Sequence, residues 1–290
     1  MIIVKLIGGL GNQLFQYALG RHLAIKNNTE LKLDTTGFHT YYKLHKYSLQ
    51  SLNVIENIAT GKEIEKFSAT PKGIASKLAS KIKGEEGKYR MIIEPGFHFF
   101  PEILNAPDNS YLDGYWQTEK YFKEIEGIIR KECAVKNELA GKDLEVSQKM
   151  KSTNAVSMHI RRADYVKDTV TQDVLGTISI EYYQSAAAHI AEKFSGPHFF
   201  VFSDDHQWVK ENIRLNHPVT YVDHNQADKN YEDLRLMSLC RHNVVANSSF
   251  SWWGAWLNNN PDKIVIAPRK WFNKYEADTK DLVPENWIRL

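Results

Sequence analysis

The residues best equipped for chemistry stand in four short groups. The first is His159-Ile160-Arg161-Arg162-Ala163-Asp164, which directly follows the apolar run Ala155-Val156-Ser157-Met158. A guanidinium carries a permanent charge and a fork of N–H donors, so a pair of them where a buried strand ends can grip a phosphate. An ordinary surface Arg–Asp pair, with Asp164 orienting one arginine, is the simpler alternative. The second group is Ser203-Asp204-Asp205, and the third is Asn247-Ser248-Ser249-Phe250-Ser251. Hydroxyls of this kind cap helices, and helix N-termini attract anions. The fourth is Gly8-Gly9-Leu10-Gly11-Asn12-Gln13, set between a β-rich run and apolar residues at helical spacing. Such a loop brings backbone N–H groups close to an anion, or simply makes a tight turn.

Several familiar chemistries are missing. The dinucleotide fingerprint fails because Leu14 occupies its third glycine position, and no Gly-Lys-Ser/Thr follows to make a Walker A phosphate loop. There is no His-Glu-x-x-His, no Cys-x-x-Cys and no Gly-x-Ser-x-Gly, so neither a zinc site nor a hydrolase elbow is signalled. Asp204 and Asp205 are adjacent and lack the spacer of a metal-binding Asp-x-Asp pair. The pattern therefore implies arginine and backbone N–H groups as carriers of positive charge, with no metal.

The elements that must position these groups alternate. Residues 2–6 read as a strand, followed by the glycine loop and a helix through Leu14, Phe15, Ala18, Leu19 and Leu23. Residues 31–34 read as a second strand. Residues 36–47 read as a loop rich in His, Tyr and Lys that suits either a sugar surface or solvent. Residues 111–117 read as a strand running into a loop, and residues 121–132 have helical spacing. In the carboxy-terminal half the strands fall near 155–160, 198–202, 219–222, 243–246 and 263–267, with helices between them. Ser179 is placed to cap the helix over 180–194. This alternation predicts a parallel sheet with its loops on one rim. Arg161, Arg162, Asp204, Asp205, Ser248 and Ser249 would share that rim, where α/β sheets bind ligands. The polar stretch 137–153 suggests a division into lobes 1–150 and 151–290, with a nucleotide between two Rossmann-like lobes.

The 290 residues carry a net charge of +2, which predicts no general affinity for nucleic acid. Cys133 and Cys240 read as reduced thiols, and no leader or spanning segment is visible, so the expectation is a cytoplasmic chain. Residues 72–90 are basic, with Ile74, Leu78 and Ile82 four apart. They read first as a charged solvent face and second as a helix in weak peripheral contact with the inner face of a membrane. The oligomeric state is left open.

Taken in order, the glycine loop, the His-x-Arg-Arg-x-Asp run, Phe202-Ser203-Asp204-Asp205 and Asn247-Ser248-Ser249-Phe250-Ser251-Trp252-Trp253-Gly254 carry a likeness over nearly the whole chain. The chain resembles the α-1,2-fucosyltransferases of glycosyltransferase family 11. The resemblance implies an α/β fold of the GT-B class, GDP-fucose as donor, a galactose-terminated glycan as acceptor at its 2-hydroxyl, inversion, and no cofactor or metal. It also implies roles. Arg161 matches an arginine on the β-phosphate, His159 a residue against guanine, Asp233 the carboxylate that reads the guanine edge, and Ser249 a phosphate-binding serine. Ser248, Phe250 and Asp204 belong to the same donor set, as do Gly9, Gly11 and Asn12. Asn12 resembles a loop asparagine near donor phosphate and acceptor, so Arg161, Asn12 and Asp164 form the expected catalytic group. Thr169 stands where the α-1,6 enzymes have a glutamate, which leaves the general base open among Asp164, Asp168 and Asp173. A transferase using another GDP-sugar and a non-catalytic subunit that binds nucleotide-sugars in polysaccharide assembly are the rival readings. A nicotinamide dehydrogenase is more distant.

Overall fold

A computed structural model describes residues 1–40, 45–68, 89–163, 169–273 and 279–290. The chain divides into two compact units, Met1–Cys133 and Ala134–Leu290. The division falls upstream of the boundary at 150 expected from composition. The polar stretch 137–153 carries a helix of the second unit, Gly141–Lys151, whose Ser147 and Met150 are buried while most of its surface meets solvent.

In the first unit, β1 (Ile2–Lys5), β2 (Leu31–Asp34), β3 (Arg90–Ile93) and β4 (Ser110–Asp113) form a sheet in the order β2-β1-β4-β3. Every pairing in it is parallel. Helix α1 (Leu10–Lys26) is buried along nearly its whole length. It lies so close to the sheet that a side-chain carbon at Gly20 would stand 2.8 Å from Leu31 Cδ1 and 3.2 Å from Val4 Cγ1. Its buried polar residues bind backbone, as burial requires. Gln16, for example, accepts from Ile7 N at 3.0 Å and donates to Gly114 O at 3.0 Å, tying β1 to the chain after β4. Two short helices follow, α2 (Thr36–Thr40) and α3 (Gly61–Ser68). The first replaces the start of the expected loop, because Asp34 accepts from Thr36 N at 2.9 Å and from Thr36 Oγ1 at 2.6 Å and so bends the chain there. The helical spacing over 121–132 yields α4 (Glu126–Glu132), preceded by the 3-10 turns Glu119–Tyr121 and Lys123–Ile125. Phe122 (φ −139°) and Ile125 (φ −113°) leave helical geometry before it, and Phe122 is fully buried.

The second unit opens with α5 (Gly141–Lys151) and β5 (Asn154–Ile160), then α6 (Thr169–Val174) and α7 (Ile180–Lys193). β6 (Pro197–Ser203), α8 (His206–Asn212), β7 (Val219–Val222) and α9 (Asn230–Leu239) follow. The chain ends with β8 (His242–Val244), α10 (Ser249–Leu257), β9 (Val265–Ala267) and β10 (Ile288–Arg289). Their six-stranded sheet runs β10-β9-β8-β5-β6-β7 and is parallel throughout. β5 is buried from Ala155 to Ile160, as a central parallel strand covered on both faces must be. Period-two alternation sends Val156, Met158 and Ile160 into the core packed with α7 through Ala186 and Ile190. The opposite face takes Ser157 and His159. There, Asn243 donates to Ser157 Oγ at 2.7 Å and to Met237 O at 2.9 Å, which satisfies Ser157 behind the sheet. α10 is apolar almost all round, with Trp252, Trp253 and Trp256 in its core. α9 approaches it closely enough that a side-chain carbon at Gly254 would lie 2.9 Å from Met237 Cβ.

Candidate active site

The strand order dictates where a ligand can sit in the second unit. The chain runs outward from β5 to β6 and β7, then returns to place β8, β9 and β10 on the other side. The reversal lies between β5 and β8. At that switch point the loops after the two strands diverge and leave a crevice beyond their carboxyl ends. His159 and Arg161 come from one side of it and residues 247–250 from the other. The rings of His159 and Phe250 meet across it, their centres 5.5 Å apart.

Asp204, at the end of β6, organises the arginine loop. It accepts from Arg162 N at 2.9 Å and Ala163 N at 3.1 Å and pairs with Arg161 Nε at 3.3 Å. The sequence suggested Asp164 for that work; Asp164 and Asp168 lie outside the described residues. Burial pushes the Asp204 carboxyl up, but Arg161, the two backbone donors and His159 outweigh it and hold it below the usual carboxylate range. The two arginines are used differently. Arg162 pairs with Asp205 at 3.6 Å and lies over Trp208, 4.3 Å from the ring centre, so it anchors the loop to α8. Asp205 also caps α8 by accepting from Trp208 N at 3.3 Å. Arg161 remains the arginine directed by Asp204 at the switch point.

His159 is buried, and its Nδ1 has no hydrogen-bond partner among the described residues. Burial, with the Arg161 charge adding to it, lowers its pKa to about 3. The ring is therefore neutral at any physiological pH and can both donate and accept. On the other side of the crevice, Ser248 caps α10, accepting from Phe250 N at 3.3 Å. Asn247 donates to Leu175 O at 2.9 Å, Gly176 O at 3.2 Å and Trp271 O at 3.1 Å, so one side chain ties together three segments around this rim. Ser249 begins the helix beside Ser248.

Asp233 lies in the first turn of α9, on the same rim by topology because α9 follows β7. It accepts from Asn225 Nδ2 at 2.8 Å. Burial raises its pKa to about 7, with Asn225 opposing and the charges of Asp143 and Glu232 adding to the rise. No direct bond joins Asp233 to the arginine loop among the described residues.

In the first unit, Gly8 has φ +78°, and its carbonyl accepts from Gln13 Nε2 at 2.8 Å. Gly9 is the N-cap of α1 and has no side-chain cap, while its carbonyl accepts from Asn12 N and Gln13 N at 3.0 and 3.1 Å. Gly11 and Asn12 lie in that first turn. Asn12 Oδ1 accepts from Gln117 Nε2 at 2.8 Å. Gln117 sits on a turn held by Glu94, whose two oxygens accept from Tyr115 N at 2.6 Å and Trp116 N at 2.8 Å. Trp116 is fully buried and takes φ +59°, a strained conformation for a tryptophan. Gln117 was not singled out by the sequence; the Asp-Gly-Tyr-Trp turn before it was the available signal. Among the described residues no cluster of three or more His, Cys, Asp or Glu side chains could hold a metal ion, and no helix is long and apolar enough to cross a membrane. The basic stretch 72–90 lies almost wholly outside them.

Two parallel α/β units, one with an arginine-lined switch point, define a Rossmann-type chain of the GT-B class. The solved Arabidopsis thaliana FUT1 variant in complex with GDP shares this fold, with a TM-score of 0.55 and 10% identity over 99% of this chain and 75% of that one. The profile named "Glycosyl transferase family 11" matches residues 1–290, and the chain belongs to that family of glycosyltransferases. Similar relatives include an Escherichia coli alpha-1,2-colitosyltransferase, 34% identical over 100% of this chain and 99% of that protein. The Escherichia coli O-antigen biosynthesis glycosyltransferase WbnK is 32% identical over 98% of this chain and 99% of its own length. A Caenorhabditis elegans galactoside 2-alpha-L-fucosyltransferase is 25% identical over 100% of this chain and 79% of its length.

Proposed function

We propose that this glycosyltransferase moves L-fucose from GDP-β-L-fucose to the 2-hydroxyl of a terminal galactose, with inversion and without a metal ion. The observation that carries the reading is the arginine loop at the switch point, bonded to Asp204 in a chain matched over its whole length by family 11. In this reading the diphosphate meets Arg161 and the N-terminus of α10 at Ser248 and Ser249, where fixed donors stabilise the charge that develops as the C1–O bond breaks. Neutral His159 and Phe250 line the nucleoside, and Asp233 accepts from guanine N1–H and its amino group. In the first unit, Asn12 and the N–H groups of Gly9 and Gly11 are the contacts proposed for the departing phosphate and the incoming hydroxyl. The carbon passes through an oxocarbenium-like state, so a weak base or a water relay suffices for the acceptor proton.

A second donor is favoured by a specific likeness. The relative that is 34% identical is named for colitose, which is L-fucose lacking its 3-hydroxyl. Turnover of GDP-fucose and GDP-colitose on the same galactoside decides between them. A higher kcat/KM for GDP-fucose supports the proposal, and one at least tenfold higher for GDP-colitose replaces the donor while keeping the site. With either donor, Arg161→Ala should abolish transfer in a folded protein. Near-normal transfer by that variant would overturn the assignment.

A further inference from the structure

Behind Asp233 stands an arrangement that the transfer reaction leaves unused. Asn225, in the loop after β7, points one amide nitrogen between two carboxylates. It donates to Asp233 Oδ1 at 2.8 Å and to Asp143 Oδ1 at 2.9 Å. Asp143 lies in the first turn of α5, and His224 Nε2 approaches the same oxygen at 2.9 Å. The loop after β7 is thereby pinned to α5, and Asn225 is fixed where it can donate to α9. Asp143, His224, Asn225 and Asp233 are all half-buried. The Asn225 donor occupies one lone pair of Asp233 Oδ1. Asp233 Oδ2 has no hydrogen-bond partner among the described residues. An ionised carboxylate offers about four acceptor positions, so the bridge leaves two oxygens for a ligand with paired N–H donors.

We propose that Asn225, itself held by Asp143, is a positioning residue for Asp233: it turns the carboxylate toward the guanine edge and sets the pH below which the site no longer binds the nucleotide. The inference rests on the proposed reading of Asp233 as the guanine acceptor. Without Asn225, a carboxylate on the first turn of α9 would stand near Asp143 and Glu232 with no donor between them. The charged groups around it are Asp143 on α5, His224 in the loop, Asp228 and Lys229 just before α9, and Glu232 on its own helix. Glu232 is paired with Arg235. The first turn of α10, the other helix packed on α9, carries no acidic residue. Asn225 is thus the neutral donor directly on the carboxylate, and Asp143 the nearest charge beyond it.

Protonated Asp233 presents a hydroxyl to groups that can only donate, so guanine is bound by the charged form. The two supporting residues then have opposite effects. Removing the Asn225 donor disfavours the charged carboxylate and moves the pH midpoint of nucleotide binding upward. Neutralising Asp143 removes a like charge and moves it downward.

The experiment is calorimetric titration of the full chain with GDP and with inosine diphosphate, which lacks the exocyclic amine, from pH 5.5 to 8.5. Asn225→Ala should raise the midpoint by about one pH unit, and Asp143→Asn should lower it by a similar amount. Asn225→Ser, which keeps a donor, should move it less than alanine does. Asp233→Asn should lose most of the preference for GDP over inosine diphosphate at pH 8. Unmoved midpoints, or shifts in the same direction, overturn the inference while a loss of preference in Asp233→Asn keeps the guanine reading. If Asp233→Asn binds GDP like the parent, the guanine reading itself falls and the inference with it. Should Asn225→Ala not fold, Asn225→Ser and Asp143→Asn still have to move in opposite directions.

Discussion

Gly8→Ala tests the glycine loop of the first unit. Gly8 adopts φ +78°, where an L-residue costs about 1–2 kcal/mol. The added methyl would also collide with Asn12 Nδ2 and stand 3.0 Å from both Asn12 Cβ and Cγ, so Asn12 must move. Moving it breaks the 2.8 Å bond from Gln117, a loss of about 1 kcal/mol. The sum is roughly 2–3 kcal/mol, which lowers a melting midpoint by roughly 7–11 °C in a unit of this size. Gly127→Ala is the control: it lies in α4 with nothing within 4 Å of its added carbon, and should be neutral or slightly stabilising. Differential scanning fluorimetry gives the first quantity, and initial rates at 20 °C, where Gly8→Ala remains folded, give the second. Displaced Asn12 should reduce kcat/KM by about tenfold or more, since misplacement by an ångström at a reaction centre has that scale. A Gly8→Ala protein with parental stability and parental rate would refute both the strain argument and the place given to Asn12.

The second unit offers three further outcomes. Asn247→Ala leaves the carbonyls of Leu175, Gly176 and Trp271 without their donor and should cost roughly 2–4 kcal/mol, read as a lower urea midpoint with weaker GDP binding. Asp204→Asn faces an amide toward N–H donors and removes the partner of Arg161; GDP affinity should fall about tenfold or more by titration. Because the Asp204 carboxyl is held below the usual range, its stabilisation is complete above about pH 4 and vanishes as pH falls through the lowered value. The parent should therefore lose stability as pH falls below about 4, whereas Asp204→Asn, already less stable at neutral pH, should change less across that interval. His159 stays neutral down to about pH 3, so His159→Gln should weaken GDP binding without moving its pH midpoint.

Much of the second unit was legible because its signals are local. A parallel strand buried on both faces is a continuous apolar run, and β6 shows it from Phe199 to Phe202. The caps at Ser179, Asp205 and Ser248 are short polar residues before apolar helices, and each side chain accepts the bond its position implies. Polarity misled over 137–153, where α5 hides only a narrow stripe and reads as a linker. Over 121–132 the spacing corresponds to short helical turns rather than one helix, with the break at the fully buried Phe122. Within the site, Asp204, which pairs with Arg161, comes from the neighbouring strand, while Asp164, to which sequence proximity pointed, lies outside the described residues. Pairs such as Asn225 with Asp143 and Gln117 with Asn12 bring together residues far apart in the chain. Nothing in one sequence marks them, because their meeting depends on which helix packs beside which loop.

The decisive measurement is release of GDP from GDP-fucose by the full chain, with and without lactose, in the presence of EDTA. Acceptor-stimulated release that persists in the chelator, with fucosylated lactose as product, is the predicted result. No release with either GDP-fucose or GDP-colitose on any β-galactoside, or release that stops when the chelator is added, would contradict it.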